Sequence, residues 1–423
     1  MGQLLQLKES STSIQAPPLC CCLVCESDQI QEFLNLGNTP LANRFLEPGR
    51  VGEPEPEFPL RAGFCERCHH VQLLDRVPPG AMFDHYLYVS SASETLTKHL
   101  HGLASTVAKR RKLRSRDLVV DIGSNDGTLL SGFARHGVRT LGVDPAANLA
   151  PLAQANGIET LTAFFGEQAG GRIRREYGPA AVITATNSFP HIPDLGDYLA
   201  GVERLLAPDG VLVIEAHYLM DILEQRAFDT IYHEHVSYWA LGPARRLLQR
   251  HGLEVVDVER LPVHHGQLRM WIQRAGAPVK ASVEKLESEE KGRRMDQLET
   301  YQRFAAGTRL IKRDLRRLLD KIRYEDKTIA AYGAPAKGMT LLSYLELGPE
   351  TIDFIADRSP LKQGRYTPGS HIPIVPPERI LQEQPDFLLL LAWNFADEVM
   401  KQQREYHKKG GRFIVPVPEV RIV

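Results

Sequence analysis

Val120-Asp-Ile-Gly-Ser-Asn-Asp-Gly127 runs directly out of the apolar stretch Leu118-Val-Val-Asp121, and this junction of strand and glycine turn decides the fold. Downstream, Thr140-Leu-Gly-Val-Asp144, Ala181-Val-Ile-Thr184 and Gly210-Val-Leu-Val-Ile-Glu215 are further short apolar runs, and helical patterns alternate with them, the first over about 94–113. Continuous β-branched runs separated by helices read as parallel strands buried on both faces, so the expected fold is a doubly wound α/β domain of the Rossmann-like class. The turn spells Asp-x-Gly-x-Asn-x-Gly, whereas a dinucleotide pyrophosphate calls for Gly-x-Gly-x-x-Gly. Asn125 tolerates the positive φ that a glycine would otherwise supply. Asp144 ends the second strand, where a carboxylate can accept from both ribose hydroxyls. With no pyrophosphate cradle, S-adenosylmethionine (SAM) is the expected cofactor rather than NAD. The residues placed around it are Asp121, Gly123, Asn125, Gly127, Asp144 and Asn187.

The cysteines are as unevenly placed as the glycines. All six fall between positions 20 and 68, and Cys22-Leu-Val-Cys25 and Cys65-Glu-Arg-Cys68 form two close pairs. Four thiolates complete a tetrahedral zinc shell with no open position, which makes the expected metal structural. Cys20 and Cys21 are then spare thiols. Between the pairs, Glu47-Pro-Gly-Arg-Val-Gly-Glu-Pro-Glu-Pro-Glu57 is too rich in proline and glycine for a helix or a central strand. The 423 residues exceed one ordinary core, and the expected division is a flexible tail (1–18), a zinc-binding domain (19–80), the Rossmann-like SAM-binding domain (81–278) and a C-terminal α/β domain (279–423). A formal net charge of -1 argues against nucleic acid as the main partner. No stretch reads as a signal peptide or a membrane span, so a cytoplasmic location and no membrane partner are expected.

The densest polar cluster is Glu215-Ala-His217 with Tyr232-His-Glu-His235-Val-Ser-Tyr238. His233 and His235 are two apart, which is not the helical zinc spacing, although a strand would put both on one face. Besides a mononuclear metal site, a hydrogen-bonded structural cluster and acid/base chemistry are open readings. Histidine suits the last through its near-neutral pKa.

In order along the chain, the cysteine pairs, Asn38-Thr-Pro-Leu-Ala-Asn43, the glycine turn, Tyr232-His-Glu-His235 and Tyr332-Gly-Ala-Pro-Ala-Lys-Gly338 resemble those of sugar C-methyltransferases. So does Asp357-Arg-Ser-Pro-Leu-Lys-Gln-Gly-Arg-Tyr-Thr-Pro-Gly-Ser-His-Ile-Pro-Ile374. The turn Leu205-Leu-Ala-Pro-Asp-Gly210 likewise looks like the Leu-x-Pro-x-Gly turn of SAM-dependent methyltransferases. The resemblance covers nearly the whole chain from about residue 19. It implies methyl transfer from SAM to C-3 of a dTDP- or GDP-linked 4-keto-6-deoxy sugar through an enolate; a monomer is expected.

By position, His235 corresponds to the catalytic base, with Tyr232 and Glu234 beside it, and His191, in Asn187-Ser-Phe-Pro-His-Ile-Pro193, corresponds to a second active-site histidine. Tyr86 and Tyr88 correspond to aromatic residues that reach the sugar. His264, Lys337 and Arg365 are the expected substrate contacts, Lys337 because it opens a helix after the strand-like Thr328-Ile-Ala-Ala-Tyr-Gly333. The chain departs from the family at His264-His-Gly-Gln-Leu-Arg269, where His265 replaces a glycine of the family's His-Gly-Gly-Ser-Leu-Arg. In the charged stretch over about 280–323, Leu310, Ile311, Leu315, Leu318, Leu319 and Ile322 recur at helical spacing and are expected in the core. Two other classes of function fit the same folds: a nicotinamide-dependent nucleotide-sugar oxidoreductase and a non-catalytic SAM- or nucleotide-binding scaffold. A radical SAM mechanism is excluded, because the Cys-x-x-x-Cys-x-x-Cys cluster is missing.

Overall fold

The protein is described by a computed structural model covering residues 19–78, 80, 82, 89–263 and 266–423. The tail, Tyr86, Tyr88, His264 and His265 therefore lie outside the described residues.

Seven strands form the central sheet, in the spatial order Leu253–Leu261, Gln267–Arg274, Leu206–His217, Ala180–Thr186, Leu118–Ile122, Arg139–Asp144, Thr160–Thr162. The last five are mutually parallel, and Gln267–Arg274 enters antiparallel between two neighbours. Every residue of Leu118–Ile122 is buried because helices cover both faces. Alternate residues face opposite ways: Val119, Val182 and Val213 pack with Leu100, Leu103 and Phe133, whereas Val120, Ile183 and Ile214 join the larger core with Leu199 and Val202. The helix Glu94–Arg111 starts where the Ser93 hydroxyl accepts the Leu96 N–H at 3.3 Å. Chain order turns back beside Leu118–Ile122, so the crevice between it and Ala180–Thr186 is the topological switch point.

The cysteine-bearing module is an antiparallel sheet of Ile30–Pro40, Glu57–Cys65 and Val71–Leu73, and its fourth strand is Ser237–Tyr238. That strand arrives from inside the central domain, so the edge expected near residue 80 is crossed by a hydrogen-bonded ladder.

Six strands, Ile374–Val375, Ile355–Ala356, Ile329–Tyr332, Phe387–Leu390, Arg412–Val415 and Arg421–Ile422, build the C-terminal sheet, parallel except for the last pair. Its own switch point lies between Ile329–Tyr332 and Phe387–Leu390. The helix Leu298–Tyr324 buries Ile311, Leu315, Leu319 and Ile322, but Leu310 is 47% exposed. Leu310 was expected in the core. It lies about 100° round the helix from Ile311, so it faces solvent while its neighbour packs.

The cysteine-bearing module is wedged between the two α/β domains. Leu46 pairs with Tyr366, the Glu55 carboxylate accepts from the Gly369 N–H at 2.8 Å and from His371 Nε2 at 2.7 Å, and Phe64 meets Tyr301 at 4.7 Å between ring centroids. No helix among the described residues is long and apolar enough to cross a membrane.

Candidate active site

At the first switch point the glycine turn is forced by close packing. Gly123 has φ +75, and a Cβ there would lie 2.5 Å from the Ser188 Cβ. Asn125 has φ +52, and its side-chain oxygen accepts the Ser90 N–H at 3.0 Å, while Asp126 accepts the Ser91 N–H at the same distance. The turn thereby clamps the segment that follows the undescribed residues 83–88. Asp144 uses one lone pair on each oxygen to hold the turn, from the Asn125 N–H at 2.8 Å and the Ala146 N–H at 2.9 Å. A carboxylate has about four acceptor sites, so two remain. Asp121 is 2% exposed, accepts from the Thr184 hydroxyl at 2.7 Å, and burial pushes its carboxyl up to about 7. Asn187, also at positive φ, accepts from the Gln267 side-chain amide at 2.7 Å.

The Tyr232 to His235 motif lies in the loop between the turn Phe228–Thr230 and the strand Ser237–Tyr238. His235 Nδ1 is 2.9 Å from the Thr230 carbonyl, and a carbonyl can only accept, so Nδ1 bears the hydrogen. In the neutral ring Nε2 is then the acceptor, and the Tyr232 hydroxyl donates to it at 2.8 Å. Around His235 stand the rings of Tyr232, His191 and His217, with centroids 4.0, 5.0 and 5.3 Å away. Burial lowers the His235 pKa to about 3 and that of His191 to about 4, so both are neutral at pH 7.

Neighbouring motif residues face the zinc module. His233 Nε2 donates toward the Phe58 and Pro59 carbonyls, at 3.3 and 3.2 Å. Glu234 accepts from the Asn43 amide at 2.6 Å through Oε1 and has no hydrogen-bond partner for the buried Oε2. Burial pushes its carboxyl up to about 7, against the pull of Asn43 and Lys362. Glu215 is elsewhere: its buried carboxylate is held between His99 at 2.7 Å and Arg269 at 2.5 Å.

One cavity of about 900 Å³ joins these pieces. Asp121, Gly123, Asn125, Asp144 and Asn187 line one end; His191, His217, Thr230, Tyr232, His235 and Asn43 line the middle. Lys337, Asp357, Arg358 and Lys362 line the end at the second switch point. Gly127 is set back, its φ of +76 starting the helix Thr128–Ala134 against Ile158. Glu234 stands behind Asn43, and Arg365 is not among the lining residues; it pairs with Glu47 at 2.8 Å. Sequence reasoning gave no role to Asn43 or Lys362, and it named His217 only as a member of the polar cluster. Asn43 and Lys362 sit inside the motifs that carry the family resemblance, which was the available signal; Thr230 contributes a backbone carbonyl, which no residue type advertises.

The comparisons with known proteins divide the chain in the same order as the structure. Residues 22–83 match the model described as "Putative zinc binding domain", 94–258 a "Methyltransferase domain", and 262–418 a "C-methyltransferase C-terminal domain". The C-methyltransferase NovU of Streptomyces niveus is 40% identical over 404 residues, covering 95% of this chain and 96% of NovU. The chain belongs to the C-methyltransferase family. Among solved structures, magnesium protoporphyrin IX methyltransferase of Synechocystis PCC 6803 with bound SAM is 15% identical and covers 42% of this chain and 79% of that one, at a TM-score of 0.31. The 1,6-didemethyltoxoflavin-N1-methyltransferase of Burkholderia thailandensis is 20% identical and covers 41% and 77%, at 0.32. Family membership rests on the sequence matches.

As a C-methyltransferase the protein takes its methyl from SAM, and the oxidoreductase and scaffold readings give way. The lone pairs left on Asp144 and the cradle at Gly123 fit an adenosine moiety. Zinc fits the cysteines: the Sγ atoms of Cys22, Cys25, Cys65 and Cys68 all lie within 4.8 Å of one another. Hydrogen bonding from Cys68 holds the Cys22 thiol down to about 5, which in turn drives Cys68 well up, and burial pushes Cys65 up to about 11. Four thiols so close cannot all ionise without a cation among them. Cys20 and Cys21 stand outside this set.

Proposed function

We propose that this C-methyltransferase methylates a carbon α to the C-4 ketone of a nucleotide-diphosphate-linked 4-keto-6-deoxy sugar, C-3 being the position that the family resemblance implies. The observation that carries this reading is the single cavity joining two switch points, with the buried His235 and the rings of Tyr232, His191 and His217 between them. One end takes SAM; the other offers Lys337, Arg358 and Lys362 to a diphosphate, as either a dTDP- or a GDP-linked sugar would require.

A carbon-bound hydrogen next to a ketone becomes removable only where a base meets it and donors meet the oxygen. His235 supplies the base through Nε2, and the proton it takes makes an imidazolium that the enolate charge beside it stabilises. Tyr232 moves aside or donates to the ketone oxygen, and His191 orients the sugar. Bound SAM supplies an electrophilic methyl, which the α carbon takes as S-adenosylhomocysteine leaves. Glu234, through Asn43, fixes the loop that carries the base. Tyr86, Tyr88 and His264 are assigned to the sugar, and Arg365 to holding its own domain against the zinc module. The enzyme acts in the cytoplasm as a monomer of three domains.

The test incubates the enzyme with SAM and a panel of dTDP- and GDP-linked 4-keto-6-deoxyhexoses. Mass spectrometry should show a gain of one methyl and NMR should place it at C-3. A methyl at C-5, the other α carbon, would move the position and keep the chemistry. No transfer to any of the sugars would overturn the proposal.

A further inference from the structure

Asp229 is fully buried in the turn Phe228–Thr230, between the central domain and the C-terminal helix Ala336–Leu345. Its Oδ2 accepts the Trp393 Nε1–H at 2.6 Å across the domain boundary, and its buried Oδ1 has no hydrogen-bond partner. The ammonium of Lys337 lies 4.0 Å from the centroid of the same Trp393 ring. Trp393 thus stands with its edge on an anion and its face on a cation, the two orientations that its N–H and its π-cloud favour. Phe228, beside Asp229, packs edge-on against Tyr344 of the helix that carries Lys337, at 5.4 Å. Thr230, on its other side, supplies the carbonyl that fixes the His235 tautomer.

A carboxylate without a full set of donors is costly to bury, and an apolar residue would pack this turn more cheaply. A function for the charge resolves this. Lys337 is buried too: burial draws its pKa down to about 7 and raises that of Asp229, and each group's charge acts against the other's shift, as does the Trp393 hydrogen bond on Asp229.

Resting on the nucleotide-sugar reading above, we propose that Asp229 is a positioning residue which, through Trp393 and its own charge, keeps the Lys337 ammonium charged and aimed at the substrate diphosphate. The same turn joins the diphosphate end of the cavity to the loop that bears the base.

The test measures binding of dTDP and of GDP by calorimetry, with S-adenosylhomocysteine as the control ligand. Asp229→Asn keeps the shape and an acceptor for Trp393 but removes the charge. It should weaken binding of the preferred nucleotide by about tenfold, or 1.4 kcal/mol, and leave S-adenosylhomocysteine affinity unchanged. In a Lys337→Met background the same substitution should have no further effect. A merely structural aspartate would weaken binding in both backgrounds, and that result overturns the proposal, as does wild-type affinity in the single variant. Should Asp229→Asn fail to fold, Trp393→Phe, which keeps an aromatic face for Lys337 and removes the N–H, carries the same pair of comparisons with the same criteria. If the wild-type enzyme binds neither dTDP nor GDP, the nucleotide reading falls and this proposal with it, an outcome distinct from the others.

Discussion

His235 shows how one backbone carbonyl sets a chemical role. Because Thr230 fixes the hydrogen on Nδ1, Nε2 keeps its lone pair, with the Tyr232 hydroxyl donating to it, whatever the bulk pH above about 4, since the ring titrates near 3. Replacing His235 with Asn should therefore abolish exchange of the substrate's α hydrogen in heavy water, seen by NMR, while S-adenosylhomocysteine still binds. A correctly held base is worth roughly 10² to 10⁴ in rate. Unchanged exchange would place the base elsewhere. The buried groups also set how stability varies with pH. His235 and His191 titrate lower in the folded state than the ordinary 6.5, so unfolding takes up protons below that value and their contribution to stability is lost as pH falls from 6.5 toward 4. Glu234 acts the other way: its folded pKa of about 7 lies above the ordinary 4.5, so it costs stability as pH rises through that interval. Glu234→Gln should thus steepen the rise in melting temperature between pH 4.5 and 7, and a slope equal to wild type would refute the assignment. Tyr232, Glu234 and His235 were legible in the sequence as a cluster. That Glu234 turns toward Asn43 and His235 toward the cavity was not, because it follows from a loop pinned to a strand far away in sequence.

Among the elements, the glycine turn was the most legible. Its residue types follow from local sterics, namely positive φ at Gly123, Asn125 and Gly127 and no room for a Cβ at the first. Gly123→Ala should lower affinity for S-adenosylhomocysteine by at least about tenfold and cost about 1–3 kcal/mol in stability, measured by calorimetry and by melting. Near-wild-type values for both would mean that Ser188 yields freely. The buried strands were legible too, since a continuous apolar run has few alternatives once helices flank it. Leu310 was misplaced for the converse reason: an apolar residue at roughly helical spacing does not say which neighbour takes the inward direction. The second role of Asn125, holding Ser90, was invisible, because the partner is a backbone N–H that any residue would offer.

At the scale of the whole molecule, three domains were legible from composition and motif order, but their interlocking was not. Tyr86 and Tyr88 lie outside the described residues; what the zinc module holds in this structure is the loop of Tyr232 to His235. Stripping zinc with a chelator, or replacing Cys22 and Cys68 with Ser, should therefore abolish methyl transfer and leave S-adenosylhomocysteine affinity within about threefold, because the glycine turn belongs to another core. Full activity without metal would refute this coupling. The shared strand also constrains how the protein comes into being on the ribosome. Val71–Leu73 emerges early, yet the partner that covers its edge, Ser237–Tyr238, is made only after most of the central domain has left the exit tunnel. Until then the nascent N-terminal module carries an open sheet edge, the kind of surface that pairs with the wrong chain. Early zinc capture can fold the knuckles, but it cannot close that edge.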